Sequence, residues 1–188
     1  MPAAPRAAFP AMLIGSAALA FGPWLVRIAD VSPVNSAFWR LSLAVLPLLL
    51  LVRLTEGRVP RIAARPALGL AAFAGLFFAA DLAIWHLGIV RTSLANATLL
   101  TNSATFLLPL YGVVVLRQRL TRPAIAALAC AALGVALLVG RSAELSSRHL
   151  AGDLLCLGAA LFYTAYLIAV ERLRGTLNAM SLLCLVTA

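Results

Sequence analysis

The sequence predicts an all-α integral membrane protein, a bundle of several membrane-crossing helices. Three observations carry this. Of 188 residues, 63% are hydrophobic and 11% charged, whereas a water-soluble domain carries about 45–50% apolar residues and about 25% charge. The apolar residues lie in runs close to the ~20 residues that a helix needs to cross a ~30 Å hydrocarbon core. The fifteen basic residues are all arginine and fall mostly in the breaks between runs. A water-facing surface cannot be built from this pool, and most soluble enzyme and binding-module classes are excluded with it.

Taken in order, complete spans are expected over residues 8–28, 34–52, 67–90, 93–116, 123–140 and 150–170. A seventh apolar run begins near Thr176 and reaches Ala188, too short to cross. The first run follows Arg6, but it is longer than a signal-peptide core and no small-residue cleavage site precedes a soluble domain, so it reads as a retained helix. The linkers are short, and no segment is left for a soluble domain.

Arginine placement orients the bundle. Arg6, Arg53, Arg58, Arg61, Arg65, Arg117, Arg119, Arg122, Arg172 and Arg174 fall in alternate breaks on one face. The other face holds Arg27, Arg91, Arg141 and Arg148, and Arg40 lies within the second span. The richer face is expected to be cytoplasmic, with the N terminus on that side of a bacterial-type inner (plasma) membrane. The net charge of +9 is thereby a topology signal, and no nucleic-acid partner is expected. Cys130, Cys156 and Cys184 sit inside apolar runs without a CxxC or a neighbouring histidine, which fits packing better than a disulfide or zinc site.

The first span reads SAALAFGPWLV from Ser16 and the sixth GAALFYTAYLI from Gly158. Ala17, Ala18, Leu19 and Leu25 align with Ala159, Ala160, Leu161 and Leu167, and Phe21 and Trp24 with Tyr163 and Tyr166. Five spans separate the copies, and an odd repeat reverses direction. This is the mark of an inverted-topology repeat, in which solute sites lie near the midplane between halves.

Several segments in order resemble the EamA-type drug/metabolite transporter superfamily: SPVNSAFWRLSLA from Ser32, TSLANATLLTNSATFLLPLYGVVVL from Thr92, Arg119-Leu120-Thr121, AALACAALGVALLVG from Ala126 and GDLLCLGAALFYTAYLI from Gly152. The resemblance implies a ten-helix permease of two five-helix repeats, with a first repeat over 8–140 and the start of a second, inverted one over 150–188. It further implies transport of a small organic solute (metabolite, amino acid or drug-like) by alternating access. Where the family usually shows Leu-Gly-Glu-Arg, this chain has Leu116-Arg117-Gln118-Arg119. Helices eight to ten have no counterpart in the sequence, so a truncated product is expected, and a non-transporting membrane remnant or scaffold is the rival function. A homodimer of half-size subunits is the rival architecture.

Ionisable groups within a span usually face the bundle interior, pair, or line a pathway. Asp81 lies about 13 Å below the outer end of the third span and Arg40 about 10 Å into the antiparallel second span, at 1.5 Å per residue. They are expected to meet as a packing pair or as a gate, or not at all. Trp85, one turn from Asp81, is either a cation–π wall for a solute or an interfacial anchor, and His86 is a remote proton-coupling candidate. The fourth span carries a polar series of Asn96, Thr98, Thr101, Asn102, Ser103 and Thr105, of which Thr98, Thr101, Asn102 and Thr105 form a stripe at helical spacing that serves either neighbouring helices or a cavity, and Pro109 is a hinge candidate. Trp24, Tyr163 and Tyr166 either line a central cavity from both repeats or pack. No acidic pair, His–Cys cluster, nucleophile elbow or phosphate loop is present. No catalysis, cofactor or metal is therefore expected, and the bilayer and the solute are the partners implied.

Overall fold

The computed structural model describes residues 8–57, 65–175 and 179–187. These form helices α1 (Ala8–Ala20), α2 (Gly22–Ile28), α3 (Pro33–Glu56), α4 (Arg65–Ile89), α5 (Leu94–Thr101), α6 (Ala104–Val114), α7 (Arg122–Leu145), α8 (Ser147–Leu173) and α9 (Ala179–Thr187), with no strand among the described residues. Five stretches are long and apolar enough to cross a bilayer: Pro33–Leu54, Ala67–Ile89, Leu94–Val114, Arg122–Leu145 and Ser147–Leu173. The protein is an all-α, multi-pass membrane bundle.

Local chemistry sets the helix ends. The Ser32, Ser93 and Ser146 hydroxyls accept from the amides of Asn35 (3.3 Å), Asn96 (3.0 Å) and His149 (3.2 Å), each satisfying an otherwise orphaned donor of the first turn. α3 ends at Gly57, whose φ of 69° is a left-handed conformation that glycine adopts without a Cβ penalty.

Two expected spans are not single helices. The first breaks at Phe21, because Pro23 has no N–H to give to Leu19 and sits in the first turn of α2. The fourth breaks at Asn102–Ser103, between α5 and α6. Pro109 lies inside α6, so the interruption falls more than a turn before the proline. The sixth span, which has Ala165 where the first has Pro23, is unbroken over 27 residues.

The third and sixth spans, α4 and α8, form the centre and share the most extensive packing in the fold. α3 and α9 cover one side of α4, while α5, α6 and α7 pack on α8. Both the start of the bundle (α2) and α8 rest on α4 and α5. One core cluster joins α4, α8 and α9 through Ala71, Ala74, Ala169, Leu173, Leu182 and Val186. Another joins α2, α4, α5 and α8 through Val26, Ile89, Ala97, Leu100 and Cys156. The small residues bring the backbones together, which is how helices gain contact where lipid is as apolar as leucine. Large apolar side chains cover the outside, with Leu46 75% and Leu54 74% exposed. Water would penalise such a surface and hydrocarbon solvates it.

Candidate solute site between the second, third and sixth spans

α4 places Asp81, Trp85 and His86 on the side that meets α3 and α8. Asp81 and His86 are buried. His86 Nδ1 lies 2.6 Å from the Leu82 carbonyl oxygen, a bond that holds the ring along its own helix. The Trp85 and His86 rings meet edge to face at 5.3 Å. The Arg40 guanidinium, from α3, lies 5.7 Å from the Trp85 ring centroid. It also abuts the break in the first span, where a Cβ added to Gly22 would be 3.7 Å from Arg40 Nη1.

Arg40 and Asp81 are within electrostatic range, as are Arg40 and His86, but Arg40 and Asp81 make no ion pair. The ion pairs among the described residues are Arg141–Glu144 and Arg174–Glu171, both on the surface. The geometry explains this. Trp85 is about one turn, or ~6 Å, closer to the C-terminal end of α4 than Asp81, and a long arginine stem carries its charge toward that end. Three polar atoms of α4 are left buried without a hydrogen-bond partner: Asp81 Oδ1, Trp85 Nε1 and His86 Nε2. An unsatisfied polar group of this kind costs about 1–3 kcal/mol. All three lie within six residues of α4.

α8 supplies the aromatic wall. Tyr163 and Tyr166 stack at 5.5 Å, and Tyr166 stacks on Phe78 of α4 at 4.9 Å. Both phenols lie within electrostatic reach of Asp81. Trp24 does not join them: its side chain is 52% exposed on α2. The aligned positions therefore face different surroundings, because the break at Phe21 redirects the second half of the first span.

Much of the fourth-span series bonds locally rather than toward neighbouring helices. Thr98 Oγ1 donates to Leu94 O (2.9 Å), Asn102 Nδ2 to Thr98 O (2.8 Å) and Thr105 Oγ1 to Asn102 O (2.8 Å). These side chains turn back on their own backbone at the α5–α6 break, where the helical ladder is interrupted. Asn96 reaches across: its Nδ2 donates to Ser142 Oγ of α7 at 2.9 Å and to Asp153 Oδ2 of α8 at 3.1 Å.

That last contact belongs to a network that the sequence did not announce. Asp153, buried in the second turn of α8, also accepts from Thr92 Oγ1. Arg27 Nη2 donates to Ile89 O at 2.7 Å and to Thr92 O. Arg91 donates to Leu87 O at 2.8 Å and Arg148 to Val90 O at 3.2 Å. Three of the four arginines assigned to the outer face thus cap the C-terminal carbonyls of α4, the negative end of that helix. The only sequence signal was their clustering at span ends, which served equally as a topology count.

No curated protein and no solved structure matches the chain significantly. The EamA-like transporter family matches residues 7–140, which takes in α1 to α6 and most of α7, including Arg40, Asp81 and Trp85. The chain belongs to the EamA-like transporter family.

Proposed function

We propose that the chain is a permease that moves a small organic solute by alternating access, with the solute held between α3, α4 and α8. The observation that carries this reading is the set of buried, unpartnered polar atoms on Asp81, Trp85 and His86 beside the Arg40 guanidinium. A solute with hydrogen-bonding and charged groups satisfies them, and the Tyr163–Tyr166 wall packs its apolar part. The break at Phe21–Gly22 interrupts the first span beside the Arg40 guanidinium, and a second break, at Asn102–Ser103, interrupts the fourth, as discontinuous helices do in carriers of this architecture. Residues 8–140 form the first repeat and residues from 150 the start of an inverted second. The N terminus and the arginine-rich breaks lie in the cytoplasm, at the plasma membrane.

The test is binding. Trp24→Phe and Trp39→Phe leave Trp85 as the sole tryptophan reporter in the reconstituted chain. A panel of labelled amino acids, organic acids and cationic amphiphiles is screened for a change in its emission. One class is expected to shift the emission and to lose that effect in Arg40→Gln and Asp81→Asn. A response that survives both substitutions would contradict the site.

A further inference from the structure

We propose that the cytoplasmic ends of α6 and α8 form a binding site for one anionic phospholipid, separate from the solute site. Residues of both helices line a cavity of about 590 Å³ there. Its inner wall is apolar, from Leu108, Leu167 and Ile168, and its rim is polar, from Tyr111, Gln118, Arg172 and Arg174. Arg172 Nη2 donates to Tyr111 Oη at 2.9 Å. That bond uses one of five guanidinium donors and leaves the phenol's own hydrogen free to donate, so the pair presents a fixed set of donors to a phosphate.

The turn after α6 closes over the same rim. Gln118 N donates to Gly112 O at 3.0 Å. The side chain of Gln118 crosses Gly112 so closely that a Cβ there would lie 2.8 Å from Oε1. This requires Arg117 in the left-handed region at φ 54°, where a side chain is strained. The strain is retained at a turn that brings Gln118 and two flanking arginines, Arg117 and Arg119, to this end of the bundle. The one acid at the rim, Glu171, is engaged by Arg174 at 3.4 Å, which leaves Arg172 uncompensated. Helix C-termini by themselves disfavour an anion, and the arginines outweigh them. An apolar wall beneath a basic rim, at the interface of a membrane-spanning chain, matches an acyl chain beneath a phosphate. Basic pockets between spans on the cytoplasmic side bind anionic head groups in this way.

The full chain is reconstituted in vesicles of equal phosphatidylcholine and phosphatidylglycerol, extracted mildly, and its retained lipid measured by native mass spectrometry. The chain is expected to retain phosphatidylglycerol in excess. The excess is expected to fall about fivefold in Arg172→Gln and to fall in Tyr111→Phe, which keeps the ring and the packing. Arg141→Gln, at the other end of the bundle, is expected to leave it unchanged. Circular dichroism on each variant establishes that it is folded. Equal excess in all three variants would overturn the proposal, as would displacement of the lipid by millimolar inorganic phosphate, which would assign the rim to a free anion.

Discussion

Asn96, in the first turn of the fourth span, donates to the buried carboxylate of Asp153 on the sixth at 3.1 Å. Thr92 reaches the same carboxylate from the preceding loop. With Ser142 bonded to Asn96 from α7, one acid gathers three spans and a loop at one end of the bundle. Asp153→Ala is expected to cost about 1–3 kcal/mol for each donor left unpaired, seen as a lower unfolding temperature in detergent. Combined with Asn96→Ala it should cost clearly less than the sum, since both substitutions remove one interaction. Additive costs would mean that the contact contributes nothing.

How much of this was legible differs between span and site. Length and hydropathy located the second, third, fifth and sixth spans within a few residues, because hydrocarbon thickness fixes how much apolar chain must run unbroken. The breaks at Phe21 and Asn102 were not read. Pro23 lay in plain view, but composition does not say whether a proline kinks a helix or divides it. For the candidate site, Asp81 and Arg40 stand out in the sequence as rare ionisable residues at similar depth, and Trp85 as their neighbour one turn on. Their partners do not, because side-chain length decides them: Arg40 reaches Trp85 and not Asp81. Thr98 and Asn102 differ from a stripe facing neighbours for a related reason. Helical spacing gives a face, whereas these side chains bond within their own helix.

Gly88 and Gly152 let α4 and α8 touch. A Cβ on Gly88 would lie 2.5 Å from Cys156 Sγ and 3.1 Å from Gly152 O. Gly88→Ala is expected to destabilise by about 1–3 kcal/mol through overpacking, and Cys156→Ala in the same chain to restore part of it. Gly134→Ala, with nothing within 4 Å, should be neutral or slightly stabilising through helix propensity. Thermal unfolding of the four proteins checks this, and equal values for Gly88→Ala and Gly134→Ala would contradict the close approach.

Arg27 ties the first span to the third by capping Ile89 and Thr92. Arg27→Gln shortens the reach and removes the charge. It is expected to cost about 1 kcal/mol and to raise amide exchange in α2 before it does so in α8, measured by hydrogen–deuterium exchange with mass spectrometry. Uniform exchange across both helices would mean that Arg27 is a topology charge alone.

The most direct test of the central claim is solute movement through the reconstituted chain. Vesicles with and without the protein are exposed to a small-molecule cell extract, and their contents are followed by mass spectrometry. The account predicts that at least one organic solute equilibrates faster with the protein, and that Asp81→Asn and Trp85→Ala each reduce this rate about tenfold or more, the loss expected for about 1.4 kcal/mol at the barrier, while the bundle stays folded. Identical contents with and without the protein, or a rate indifferent to both substitutions, would contradict it.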